Sequence, residues 1–198
     1  MKIVCLGDSL TYGFGVRRAK VWTKLAENKL QEEYKLHIEV INEGICGDTS
    51  GGMLSRFHNS VFLQKANIVH IMGGGNDFMV GAGLELVKSN IMAMTHQAAA
   101  KHISPIIGIP PDIDERNVRQ DWAQFADFGT VAKELDLYRE WLKEFCKTFN
   151  IPYVDYYTEL EKLRNGEYVY IDGLHMNERG NEIMAEIFCQ NIGAGNLI

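Results

Sequence analysis

The sequence predicts an α/β domain: a parallel sheet of five short strands covered by helices on both faces. Three observations lead there. Five short apolar runs, largely β-branched, recur along the 198 residues, the form taken by strands buried on both sides. Stretches of helical periodicity separate them. Strand and helix therefore alternate throughout, and such alternation builds a parallel sheet through right-handed crossovers.

In chain order, "KIVCL" (2–6) opens the sheet, and Trp22, Leu25 and Leu30 mark the first helix. The second strand is "HIEVI" (37–41) and the third "NIVHIM" (67–72). Leu84, Val87, Ile91, Met94 and Ala98 share one helical face ahead of the fourth strand, "PIIGI" (105–109). The cleanest apolar stripe follows in Val131, Leu135, Tyr138, Leu142, Phe145 and Phe149. "PYVDY" (152–156) is the fifth strand. A short acidic segment then leads to a last helix marked by Ile183, Met184, Ile187 and Phe188. No repeat or linker interrupts the pattern, and a chain of this length buries about 70% of its unfolded surface as one core.

Composition narrows the function classes. A net charge of -6 gives no electrostatic reason to expect nucleic-acid binding. Cys5, Cys46, Cys146 and Cys189 are dispersed without a C-x-x-C pair, which argues against a zinc knuckle and a disulfide framework and suits a cytoplasmic protein. The run Ile3 to Leu6 is too short for a signal-peptide core, and no stretch has the length of a transmembrane helix. His37, His58, His70, His96 and His102 are scattered with no metal-ligand spacing, so neither metal nor cofactor is expected.

Ligands in such folds gather beyond the carboxyl ends of the strands, and the residues there are polar. Strand one ends in "GDSLTYG" with Ser9, strand two in "NEGICGDTS" with Gly47, and strand three in "GGGND" with Asn76. "DGLHMN" near the end carries Asp172 and His175. Each block has two readings by residue type. Ser9 serves as a turn or cap residue, or as a nucleophile. Asp48, Thr49 or Ser50 caps the following helix. The triple glycine is a tight turn or a phosphate cradle, although the G-x-x-x-x-G-K-[ST] spacing is absent. His175 is a loop histidine or a base.

Taken together and in this order, the four blocks resemble the GDSL or SGNH esterase/lipase superfamily, serine hydrolases on a flavodoxin-like sheet. The resemblance runs along the whole chain. It implies a three-layer α/β/α domain over residues 1–198 with strand order 2-1-3-4-5. It also implies Ser9 as nucleophile and His175 and Asp172 as the remaining triad members. The backbone amides of Ser9 and Gly47 and the side-chain amide of Asn76 become the oxyanion donors. The function implied is cleavage of carboxylic esters or thioesters of small or lipid-like substrates, through an acyl-enzyme. A non-catalytic phosphate- or carbohydrate-binding module is the competing reading, since it accounts for the glycines but not for the serine, acid and base together.

The remaining expectations concern support and specificity. Asp8 and Asp77 are read as structural ligands of loop amides, Asn42 as a brace of the second loop, and Cys46 as a small packing residue. Arg17 and Arg18 are solvated charges or an anion contact. The connection "DIDERNVRQDWAQFADFG" (112–129) has the length of a lid or binding loop. Its Trp122, Phe125 and Phe128 either line a substrate pocket or pack on the core.

Overall fold

The alternation resolves into a single sheet in the computed structural model, which describes residues 1–193. Strands β1 (Lys2–Gly7), β2 (Glu39–Gly44), β3 (Ile68–Met72), β4 (Ser104–Ile109) and β5 (Tyr153–Asp155) all run parallel. Their spatial order is β2-β1-β3-β4-β5, as the resemblance implied. Around them lie α1 (Ser9–Tyr12), α2 (Trp22–Glu32), α3 (Ser50–Phe57), α4 (Gly75–Met79), α5 (Leu84–Ala100), α6 (Gln120–Ala123), α7 (Phe128–Phe149), α8 (Tyr156–Leu163) and α9 (Glu178–Gly193).

The strand period of two divides the interior into two cores. Val4, Leu6, Val69, Ile71, Ile107 and Ile109 point to one face, against Phe57, Ile91 and Leu142 of α3, α5 and α7. Ile3, Cys5, Ile68, Ile106 and Val154 point to the other, against Trp22, Leu160 and Phe188 of α2, α8 and α9. Each such aliphatic or aromatic side chain contributes about 1.5–3 kcal/mol when withdrawn from water. Helices on both faces explain why the strands read as continuous apolar runs rather than alternating ones.

Three expectations need correction. β2 begins at Glu39 rather than His37 and continues to Gly44, paired from Lys2↔Glu39 to Gly7↔Gly44. An edge strand needs its backbone bonds but not apolar side chains, so the run ending at Ile41 understated it. β5 stops at Asp155 because that carboxylate accepts the Thr158 amide and caps α8. The acidic segment after β5 is therefore helical, with Tyr156 and Leu160 buried. Phe149 closes the predicted stripe of α7 yet is 50% exposed, because the helix ends there with Asn150 in the left-handed region.

This topology positions the site. Chain direction across the sheet reverses at β1, whose two neighbours are β2 and β3. The loops leaving β1 and β3 then diverge, and a crevice opens between them. Gly7 pairs with Met72 in β3 and with Gly44 in β2, so the segments carrying Ser9, Gly47 and Asn76 leave the sheet side by side.

Candidate active site

Ser9 is the first residue of α1, immediately beyond β1. Asp8 caps this short helix, its Oδ1 accepting the Leu10 amide at 2.9 Å. The Ser9 carbonyl accepts from the amides of Gly13 and Phe14 at 3.0 and 3.1 Å. Its Oγ lies 2.9 Å from His175 Nε2. Asp8 is itself buried, and burial pushes its carboxyl up to about 6, moderated by the Leu10 amide and by His175.

Asp172 and His175 share a tight turn rather than a helical segment. Gly173 makes that turn possible: its φ is +83°, and a side chain there would meet the backbone amide of Val118 at 2.7 Å. Asp172 Oδ1 accepts from the amides of Leu174 and His175 at 3.1 and 2.9 Å. His175 Nδ1 lies 2.8 Å from Asp172 Oδ2. Burial alone would raise the Asp172 carboxyl, but the bonds from the His175 ring, its amide and Leu174 outweigh it and hold the group at about 2. An ionised carboxylate only accepts, so Nδ1 carries the proton and the Nε2 lone pair faces Ser9.

Asn76, on α4 beyond β3, donates its Nδ2 to the Asp48 carbonyl at 2.8 Å. That bond ties it to the loop of Gly47, and the second N–H of the amide remains free of the tie. Ser9, Asn76 and His175 line one narrow cleft, whereas Gly47 is exposed and stands outside the cleft wall. Gly74 precedes α4 at φ +110°, where a side chain would press on the Tyr138 ring at 3.0 Å. Tyr138 then donates its hydroxyl to the Gly73 carbonyl at 3.0 Å.

The supporting residues behave largely as expected. Asp77 accepts from the Ser50 amide and hydroxyl at 2.8 and 2.6 Å, and Asn90 completes that buried trio. Asn42 spans Thr11 and Thr23 at 2.6 and 2.8 Å. Thr49 supplies the cap of α3 through Gly52. Arg17 pairs with Glu178, and Arg18 lies over the Tyr12 ring at 3.9 Å, so neither faces the cleft. Cys46 is a correction: it is exposed rather than packed, because the loop after β2 turns outward. Among the described residues no three His, Cys, Asp or Glu side chains come together as a metal site.

Two arginines escaped the sequence reading. Arg56 of α3 donates to the Gly7 and Glu43 carbonyls at 3.0 and 2.9 Å and to Asp48 at 2.7 Å, joining the ends of β1 and β2 to the Gly47 loop that Asn76 also bonds. Arg139 is buried in α7 and donates to the Pro110 and Pro111 carbonyls at 3.0 and 2.7 Å. Each arginine lies beside the apolar face of its helix, a signal that periodicity alone registers as noise.

The long connection divides. Asp114 and Arg119 donate their amides to the carbonyls of Gly173 and Asp172 at 2.8 and 3.0 Å, so the segment buttresses the turn that holds Asp172 and His175. Trp122 is half-buried, its ring 6.1 Å from that of His175, and Phe14 lies nearer at 4.4 Å. Phe128 is buried in the core, whereas Phe125 is 77% exposed.

Comparison with known proteins finds named esterases among the relatives of this chain. Esterase TesA of Pseudomonas aeruginosa is 29% identical over 135 residues, covering 67% of this chain and 65% of that protein. Arylesterase of Vibrio mimicus is 30% identical over 118 residues, 58% of each chain. The matches thus span less than two thirds of the length of these relatives. A crystal structure of a member of the lipolytic protein G-D-S-L family from Veillonella parvula superposes with a TM-score of 0.79 at 25% identity, covering 96% of this chain and 97% of that one. The model of the GDSL-like Lipase/Acylhydrolase family matches residues 5–183. With that match running from the first strand into the last helix, the chain belongs to the GDSL-like lipase/acylhydrolase family.

Proposed function

We propose that the protein is a serine esterase or acylhydrolase acting on carboxylic esters or thioesters through Ser9, His175 and Asp172. The observation that carries this reading is the unbroken series of contacts from Asp172 through His175 to Ser9, all three nearly enclosed. A phosphate- or sugar-binding module would account for the glycines, but would ask nothing of an ionised carboxylate behind an imidazole that faces a hydroxyl.

The chemistry follows from the protonation states. As Ser9 Oγ attacks the acyl carbon, His175 Nε2 takes its proton, and Asp172 stabilises the imidazolium. The carbonyl electrons move to oxygen, where the Ser9 amide and the Asn76 side chain, both lining the cleft, are the donors. Collapse breaks the bond to the leaving oxygen or sulfur, which accepts the proton from Nε2 and leaves the acyl group on Ser9. Water then yields a proton to Nε2 and attacks in turn. The second collapse returns that proton to Ser9 Oγ and releases the acid.

A fluorophosphonate reagent tests the activated serine directly. The expected result is one covalent adduct, mapped by mass spectrometry to the peptide of Ser9. Folded protein that leaves the reagent unreacted would favour the binding module.

Asn76→Ala tests the oxyanion donor separately. We expect kcat to fall by about 10²- to 10³-fold with little change in KM, because the bond strengthens as charge develops. Loss of the bond to the Asp48 carbonyl adds only a modest shift in melting temperature. A large melting shift with kcat preserved would make Asn76 a brace of the loop alone.

A further inference from the structure

The cleft beside Ser9 is narrow, and its size bears on the acyl group. Beyond Ser9, Asn76 and His175 its wall is apolar: Met79, Pro110, Pro111, Ile113, Leu135 and Leu174. The cleft volume is about 40 Å³, space for only a few water-sized groups.

The wall has little freedom to retreat. Proline fixes φ at both Pro110 and Pro111. The buried Arg139 guanidinium takes both of their carbonyls, and stands one turn beyond Leu135 on α7. Leu135 and Leu174 are themselves in the buried core. Widening the cleft from this side would break two hydrogen bonds from a buried cation, the costly kind to lose.

Substrate orientation follows from the proton transfers. The leaving atom must receive its proton from His175, and water must later arrive at the same nitrogen, so that side of the site serves the leaving group. The acyl tail stays attached to Ser9 while this exchange occurs. It therefore takes the apolar side of the cleft, along Gly75 and Met79 of α4.

Resting on the catalytic reading above, we infer that this cleft is an acyl pocket for short chains, acetyl to butanoyl, bounded by Met79 and by the prolyl wall that Arg139 holds. Two positions on α4 set its length in opposite directions. Met79 is half-buried in the wall, and its truncation opens space. Gly75 also lines the cleft, and a methyl group there meets no atom within 4 Å, so Gly75→Ala fills space without a clash.

The test is kcat/KM for p-nitrophenyl acetate, butanoate, octanoate and dodecanoate, with a melting curve on each protein. In the wild type we expect the octanoate value at least about tenfold below the better of acetate and butanoate. Met79→Ala should raise the octanoate-to-acetate ratio by about tenfold, and Gly75→Ala should lower the butanoate-to-acetate ratio by a similar factor. Ratios cancel any effect on the oxyanion donors, which all four substrates share. Wild-type preference for octanoate or dodecanoate overturns the acyl pocket while leaving the serine mechanism standing. Unchanged ratios in both folded variants also overturn it. Folded protein that hydrolyses none of the four and resists the fluorophosphonate removes the catalytic reading, and the pocket with it.

Discussion

Ser9→Ala eliminates turnover, by about 10⁶-fold in kcat on the scale of comparable nucleophile deletions, and leaves the fold in place. The fold survives because little depends on the hydroxyl. Asp8, not Ser9, caps α1, and the one side-chain bond of Ser9 goes to His175. A single bond of this kind is worth about 1 kcal/mol net, a shift of about 2–4 °C in melting temperature for a chain of this size. Steady-state kinetics and a melting curve on one preparation separate the two effects. Near-native hydrolysis by a folded Ser9→Ala protein would exclude Ser9 as nucleophile.

Asp172→Asn is the second large effect, and it acts through the tautomer. The asparagine oxygen can still accept the Leu174 and His175 amides, so the turn persists. Its NH₂ group, however, now donates toward Nδ1. That drives the imidazole proton to Nε2, which can no longer accept from Ser9. We expect kcat to fall about 10⁴-fold with KM nearly unchanged.

The same substitution has a signature in acid. The Asp172 carboxyl is held at about 2 in the folded protein, below the roughly 3.9 of an unfolded chain. A depressed folded value means a stabilising contribution that is present above the unfolded value and lost as pH falls through the folded one. The wild type should therefore melt above the Asn variant at pH 7, and the gap should close between about pH 4 and pH 2. A gap that is constant with pH would mean that Asp172 is not held as an ionised acceptor.

Strand ends and helical stripes were legible because burial leaves a period in the sequence. Ser9 and Asn76 were legible as candidates because they follow strands, and Asp172 and His175, which stand beyond α8, because an acid and an imidazole lie three residues apart. Three further supports were not, and for one shared reason. Arg56, Arg139 and Tyr138 donate to the carbonyls of Gly7, Glu43, Pro110, Pro111 and Gly73. A backbone carbonyl belongs to every residue and so leaves no pattern of types or spacing. The end of β2 was hidden similarly, since its pairing is carried by main-chain atoms while Asn42 and Glu43 look like loop residues. Cys46 was misjudged because its residue type favours burial and the outward turn after Gly44 has no apolar periodicity to reveal it.

The contact between Ser9 and His175 joins residues 166 apart. Closing a free chain over that span costs about 4–5 kcal/mol in entropy, several times what one hydrogen bond returns. The pair therefore never forms by itself; it is inherited from the finished sheet and from the amides of Asp114 and Arg119 that grip the turn. Ser9 is made before His175, which arrives only after all five strands have been made. Until then the hydroxyl is as inert as that of any free serine. On the proposed mechanism, hydrolytic competence is thus switched on once and all together, and a half-made or locally opened chain is a dormant one.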